Sequence, residues 1–222
     1  MPASNPSPIP AARLLPHVLE ATAHAQHLHA TPDATVALLN TAASYLQDAG
    51  QLDTAHPLLA HALDIAQEDL GPDRPSTLIA RANLARWRGE TGQPAQAAGQ
   101  YRDLLNDYLR VLGPDHPDTL IARHNLAYML GQAGQPAQAA TQYRDLLGDY
   151  LRVLGPDHPD TLAARYNLAY MLGEAGQPAQ AAEQYRDLLT DSLRVLGPDH
   201  PHTLAARTNL ARWQEVLGSG GN

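Results

Sequence analysis

Apolar positions recur along this chain at helical spacing, and the spacing itself recurs. Between residues 113 and 154, Leu120, Ala122, Leu126, Ala127, Met129, Leu130 and Ala133 fall on two adjoining stripes of one helix. Ala139, Tyr143, Leu146, Leu147, Leu151 and Leu154 mark the inner face of a second. Gly134 between them suits a left-handed helix stop, and Pro136 the first position of the next helix. The same passage returns every 42 residues, with Gly-Pro-Asp at Gly71, Gly113, Gly155 and Gly197 and Gly-Gln at Gly50, Gly92, Gly134 and Gly176. A fixed period of this length predicts a stack of like units, which builds an extended surface suited to binding.

The pattern places helix pairs over 33–49 and 52–70, 74–91 and 94–112, 117–133 and 136–154, and 159–175 and 178–196, with a closing helix over 201–216. Leu14, Leu15, Val18, Leu19, Ala21, Ala25 and Leu28 predict a capping helix over 11–30. Residues 1–10 hold four prolines and no periodicity and read as a flexible leader; 217–222 read as a flexible tail. The organisation expected is therefore leader 1–10, cap 11–30, repeats with closing helix 31–216, and tail 217–222, in an all-α chain.

Composition narrows the function classes. The formal net charge is −8, and all fifteen basic residues are Arg. A chain of that balance lacks the basic face needed for nucleic acid or an anionic membrane. Without Cys it has no disulfide, thiol nucleophile or zinc–thiolate site. No apolar run reaches the roughly 18 residues of a membrane span, and the N-terminus lacks a signal-peptide pattern, so a cytoplasmic protein is expected.

Leu126-Ala127-x-x-Leu130-x-x-x-Gly134-x-x-x-x-Ala139-x-x-x-Tyr143 resembles the tetratricopeptide repeat. The 42-residue unit, with Gly-Pro-Asp-His-Pro-Asp-Thr-Leu between pairs, is similar to the kinesin-light-chain subtype over residues 31–216. The resemblance implies a solenoid of antiparallel helix pairs wound as a right-handed superhelix, binding a protein or peptide in a concave groove, with no enzymatic activity and no cofactor. Ala12-Arg13-Leu14-Leu15-Pro16-His17-Val18-Leu19, leading into Leu38-Leu39-Asn40, is similar to the junction before the sensor repeats of bacterial signalling NTPases of the NB-ARC (STAND) type. That resemblance implies a ligand sensor with an NTPase domain upstream. A chain without Lys holds no phosphate-cradling G-x-x-x-x-G-K-[ST] loop of its own. The alternatives are a free-standing scaffold or adaptor, or an idealised array with no natural ligand.

Residues 113–154 and 155–196 differ at six positions, and three of these lie on one stripe of the first helix: Ile121/Ala163, His124/Tyr166 and Gln132/Glu174. With Tyr128/Tyr170 they are spaced i, i+3, i+7 and i+11. In the family this stripe lines the groove, so its variation fits a recognition surface; the alternative is drift of exposed positions, since Thr141/Glu183, Gly148/Thr190 and Tyr150/Ser192 show change elsewhere. The stripe is aromatic at its centre, with Arg86 and Arg212 at its ends. Asn83, Asn125, Asn167 and Asn209 recur at its edge, where the resemblance implies that they hold the backbone of an extended ligand; the alternative is a bond to a neighbouring repeat's backbone. Arg81, Arg123, Arg165 and Arg207 could meet acidic ligand groups or pair with the Asp-rich turns between repeats. The candidate site is thus Asn83, Arg86, His124, Asn125, Tyr128, Tyr166, Asn167, Tyr170, Asn209 and Arg212, for a segment with acidic and aromatic residues.

The remaining chemistry reads as structural. His116, His158 and His200 stand at equivalent turns, too far apart to share an ion, and suit helix capping. His17, His24 and His27 share a face with no carboxylate. Trp87 and Trp213 replace Met129 and Met171 as packing residues, with Trp213 near an open end that could join a self-association surface. The oligomeric state is not legible.

Overall fold

The computed structural model describes residues 31–219 and, apart from them, Glu20. The expected cap over 11–30, the leader, and His17, His24 and His27 lie outside the described residues. Among the described residues are nine α-helices and no strand: α1 (Pro32–Asp48), α2 (Leu52–Ile65), α3 (Pro75–Glu90), α4 (Pro94–Val111), α5 (Pro117–Gln132), α6 (Pro136–Val153), α7 (Pro159–Glu174), α8 (Pro178–Val195) and α9 (Pro201–Ser219). None is long and apolar enough to cross a membrane. The chain divides into two compact units, residues 1–91 and 92–222.

Local chemistry fixes where each helix starts and stops. In the second unit, Pro117, Pro136, Pro159, Pro178 and Pro201 open their helices at a position where a missing N–H costs nothing. His116 and His158 cap α5 and α7, each Nδ1 accepting the backbone N–H of the Asp two residues on at 3.2 Å. The capping role read from the sequence is therefore what these two turns show, and His200 Nδ1 accepts the His202 N–H in the same way. At the end of α5, Gly134 takes φ 74°. The Gln135 N–H returns to the Leu130 carbonyl and the Gly134 N–H to that of Gly131. This double closure satisfies carbonyls that the helix end leaves open, and only glycine enters it without strain.

Within the second unit, α4 to α9 pack consecutively, and the first helices of successive pairs, α5, α7 and α9, also touch. The core follows the repeat: Ala127 and Ala139 are fully buried beside Tyr143, and Ala169 and Ala181 beside Tyr185. Two small residues let the helix backbones approach, and a tyrosine ring fills the remaining space. One inner-face assignment is corrected. Leu151 is 44% exposed, whereas Tyr150, one residue earlier, is only 3% exposed. Leu147 and Leu154 are half-buried. The 3.6-residue turn brings position 150, not 151, under α5. The Tyr150/Ser192 difference is thus a change in the core rather than surface drift, and Ser192 is buried too.

Ion pairs link successive elements on the outer edge. Arg123 of α5 pairs with Asp149 of α6, and Arg165 of α7 with Asp191 of α8 at 2.6 Å. Arg152 bridges Asp149 and Asp115, and Arg194 bridges Asp191 and Asp157. The turn carboxylates thus meet Arg152 and Arg194 of the second helices, while Arg123 and Arg165 meet carboxylates inside those helices. The structural role is the one these arginines hold, with partners one helix away from those expected.

In the first unit, α1 and α2 pack with α3. The segment expected as one helix over 52–70 is α-helical to Ile65 and continues as a π-turn over Ala66–Leu70, closed by the Gly71 N–H on the Ala66 carbonyl. Gly113, Gly155 and Gly197 make the same five-residue closure on residues 108, 150 and 192. The first copy widens a turn that all share. Trp87 stacks on His56 at 4.2 Å and donates to the Leu52 carbonyl, the packing role expected of it.

Candidate functional site

The stripe singled out in the sequence lies along first helices. In the second unit it runs over α5 (Ile121, His124, Tyr128, Gln132), α7 (Ala163, Tyr166, Tyr170, Glu174) and α9 (Ala205, Thr208, Arg212, Glu215). Because α5, α7 and α9 are neighbours, these residues form one continuous face. Ile121 and Tyr128 are 52% and 42% exposed, and Gln132, Glu174, Thr208 and Arg212 are exposed as well. His124, Tyr166 and Tyr170 are half-buried.

His124 and Tyr166 are anchored from beneath by the tyrosines of the second helices. His124 meets Tyr143 edge-on at 5.3 Å and Tyr166 meets Tyr185 edge-on at 5.4 Å. Burial holds the His124 imidazole below its usual range, which favours the neutral ring. Burial likewise pushes the phenols of Tyr143 and Tyr185 above theirs. These rings are fixed elements of the face.

The four asparagines bond the preceding copy, and they do so through side chains. Asn125 donates to the Tyr101 hydroxyl at 3.2 Å, Asn167 lies 3.5 Å from His124 Nε2, and Asn209 donates to the Tyr166 hydroxyl at 2.8 Å. In the first unit, Asn83 donates to Asn40 Oδ1 at 3.2 Å. The expected alternative of a bond to neighbouring backbone is corrected on this point: each amide ties stripe or core side chains across the repeat boundary. One such bond leaves an amide capacity for a ligand peptide group. Asn209 has less, since it also donates to the Ala205 carbonyl.

Both terminal arginines hold carboxylates of their own chain. Arg212 meets Glu174 at 3.2 Å and lies over the Trp213 ring at 4.5 Å. In the first unit Arg86 meets Asp48, Gln47 and Glu90. Burial raises the Glu90 carboxyl above its usual range against the pull of Arg86. Trp213 is buried, its ring lying over Gly173, so it closes the core instead of offering an exposed contact for self-association. No group of three His, Asp or Glu that could hold a metal ion occurs among the described residues.

The face also contains a cavity of about 420 Å³ between α7 and α9, lined by Ala163, Tyr166, Asn167, Pro201, His202 and Ala205. Pro201 and His202 are absent from the candidate site read in the sequence, and Ala163 and Ala205 were stripe positions not counted as contacts. The signal was present in the copies: Ile121 becomes Ala at 163 and 205, and a lost side chain opens space.

Comparison with known proteins places the repeats. Residues 34–110 match one tetratricopeptide repeat model, and residues 119–160 and 161–202 match a second. No curated protein sequence matches the chain. Among solved structures, it is similar to the nearly identical TPR-like repeats of a kinesin-light-chain-type protein of Podosopora anserina. Identity is 26%, over 85% of this chain and 89% of that one, with a TM-score of 0.74. A point-substituted form of the same protein matches equally, over 85% and 88%. BtubC (BKLC) of P. vanneervenii shares the fold at 19% identity, with a TM-score of 0.80 over 95% of this chain and 85% of that one.

Proposed function

We propose that this chain, which belongs to the tetratricopeptide repeat family, is a recognition module that binds an extended protein segment along its first-helix face. The family is a non-enzymatic interaction scaffold, and the coarse role follows from membership. The observation that carries the finer reading is the distribution of change between copies. Three of the six differences between residues 113–154 and 155–196 fall on one stripe of adjacent first helices, and the other three are scattered over the second helices. Tyr128 and Tyr170 with His124 and Tyr166 supply aromatic area, Asn125 and Asn167 supply amide groups, and Arg212 supplies positive charge. Asn83 and Arg86 are their counterparts in the first unit. This set suits a segment with acidic and aromatic residues.

The sensor role, downstream of a STAND-type signalling NTPase in the cytoplasm, rests on the resemblance of residues 12–19 leading into Leu38-Leu39-Asn40, whereas the matched models are of the tetratricopeptide repeat alone. A free-standing adaptor uses the same face. Affinity capture from the native cell tests the reading, comparing wild type with Arg86→Ala/Tyr128→Ala/Tyr170→Ala and with the outer-helix control Arg144→Ala/Arg186→Ala. A partner lost only in the triple variant supports the face. Equal capture by all three proteins refutes it.

A further inference from the structure

We infer that the cavity between α7 and α9 is an anchoring subsite for one branched aliphatic side chain, leucine or isoleucine, of an extended polypeptide. This rests on the reading that the first-helix face binds such a segment.

The chain's own copies argue for the size of the occupant. Subtracting 42 from the lining residues gives the corresponding corner one repeat earlier: Ile121, His124, Asn125, Pro159, Asp160 and Ala163. There the scaffold carries a sec-butyl group, Ile121, at the position Ala163 holds in the cavity. At both stripe positions of the cavity, 163 and 205, the side chain is reduced to a methyl, and space opens. What is missing from the wall is an aliphatic branch. A partner residue of that shape supplies the carbon that Ile121 supplies one copy earlier.

Charge argues for the same chemistry. The position of His202 is Asp118 and Asp160 in the two preceding copies. The wall therefore has no carboxylate at the place where the corner one repeat earlier has Asp160. Ala163, Ala205, the Pro201 ring and the Tyr166 ring present carbon, the Tyr166 hydroxyl accepts from Asn209, and the Asn167 amide and His202 supply the only other polar side chains of the lining. A lysine or arginine placed here would find no counter-charge, and an acidic side chain no arginine lining the wall. A neutral aliphatic group loses nothing on entry. The volume lies at the low end of the roughly 300–1,000 Å³ typical of ligand pockets. It holds a side chain together with its flanking peptide groups, whose polar atoms Asn167 can bond.

The test is a titration of the full chain, with ¹³C-labelled alanine methyls, against four capped amino acids: N-acetyl-isoleucine amide, N-acetyl-leucine amide, N-acetyl-lysine amide and N-acetyl-aspartate amide. The first two are expected to shift the Ala163 and Ala205 methyl signals saturably, with Kd on the order of millimolar for so small a probe. The charged pair should bind at least tenfold more weakly. Ala163→Ile and, separately, Ala205→Ile install the earlier copies' residue, which this scaffold already accommodates at 79 and 121, and each should abolish the saturable shifts in the remaining alanine with an unchanged melting curve. The inference is overturned if no probe saturates, if the lysine or aspartate probe binds as well as isoleucine, or if both isoleucine variants bind like wild type. Arg144→Ala, in the same titration, should leave the fragment affinity unchanged. Loss of fragment binding with capture still sensitive to Tyr128 and Tyr170 sinks the subsite and spares the face; the reverse spares the cavity and sinks the face.

Discussion

Gly173→Ala adds one methyl group where the structure has no room for it. An ideal Cβ at 173 would lie inside the Trp213 ring edge, 2.7 Å from Cη2 and closer still to Cζ2 and Cε2. Gly131, one repeat earlier, faces the same geometry, but its neighbour is the end of Met171, with Sδ at 2.7 Å. The two substitutions thus make the same change against a rigid fused ring and against a flexible thioether. Replacing a helical Gly by Ala gains about 1 kcal/mol of backbone entropy in both. Overpacking a close-packed site costs about 1–3 kcal/mol. Complete expulsion of the tryptophan would forfeit about 4–6 kcal/mol, from roughly 150–250 Å² at about 25 cal/mol/Å². Methionine swings aside with little loss. Gly131→Ala should therefore be near neutral, and Gly173→Ala should lose about 2 kcal/mol relative to it.

The assay is urea unfolding followed by far-ultraviolet circular dichroism and tryptophan fluorescence. Trp213→Met converts the upper site into a copy of the lower one, so a double-mutant cycle isolates the clash. Trp213→Met has a cost of its own, but Gly173→Ala made in its presence should be almost free, giving a coupling of about 1–2 kcal/mol. Equal stability of the two alanine variants, or additivity within roughly 0.5 kcal/mol in the cycle, would refute the account of the ring as the wall.

Three further outcomes follow from the core, the ion pairs and the buried imidazole. Tyr150→Ser should destabilise by about 3 kcal/mol in urea unfolding, on the scale of other buried aromatic truncations, even though Ser192 is the natural residue one copy on; a loss under about 1 kcal/mol would restore position 150 to the surface. Hydrogen bonds from Arg165 and Arg194 hold the Asp191 carboxyl below its usual range, so its stabilisation is complete above the unfolded-state pKa near 3.8 and fades as pH falls through the lower folded value. The acid-side fall of the urea midpoint should be visibly shallower in Asp191→Asn, and identical profiles would contradict the pairing. His124, a base held below 6.5 by burial, follows the same sign at higher pH: the unfolded chain takes up a proton first, so stability drops as pH falls below 6.5 toward the folded value. His124→Tyr, the next copy's residue, should remove that part of the slope below pH 6.5, and an unchanged slope would place the titration elsewhere.

Much of the fold was legible because glycine and proline carry specific backbone meaning. Gly134 and its copies need a positive φ, and Pro136 and its copies open helices, so turns could be placed to within a residue or two. Helix phase was harder to read. Leu151 and Tyr150 are adjacent, both are hydrophobic enough to be buried, and only the packing of α6 under α5 decides between them. Ion-pair partners were hidden for the same reason, since Arg123 and Asp149 are separated by 26 residues and meet only once two helices lie side by side.

At the candidate site the limits are different in kind. Periodicity identifies the stripe, but hydrogen bonding determines how much of each side chain remains for a partner. Asn209 and Arg212 look like ligand contacts when only their spacing is considered, yet Asn209 already bonds Tyr166 and the Ala205 carbonyl, and Arg212 already holds Glu174. Any ligand group that engages Arg212 must compete with a carboxylate that never leaves the protein. That competition lowers the return on an acidic contact there, because an exposed pair exchanged for another exposed pair gains little. Tyr128 has no such rival along its exposed ring, and Ala163 and Ala205 leave their space to be filled. Binding energy on this face should therefore concentrate at the aromatic centre and the cavity beside α9, with Arg212 setting which segments are tolerated.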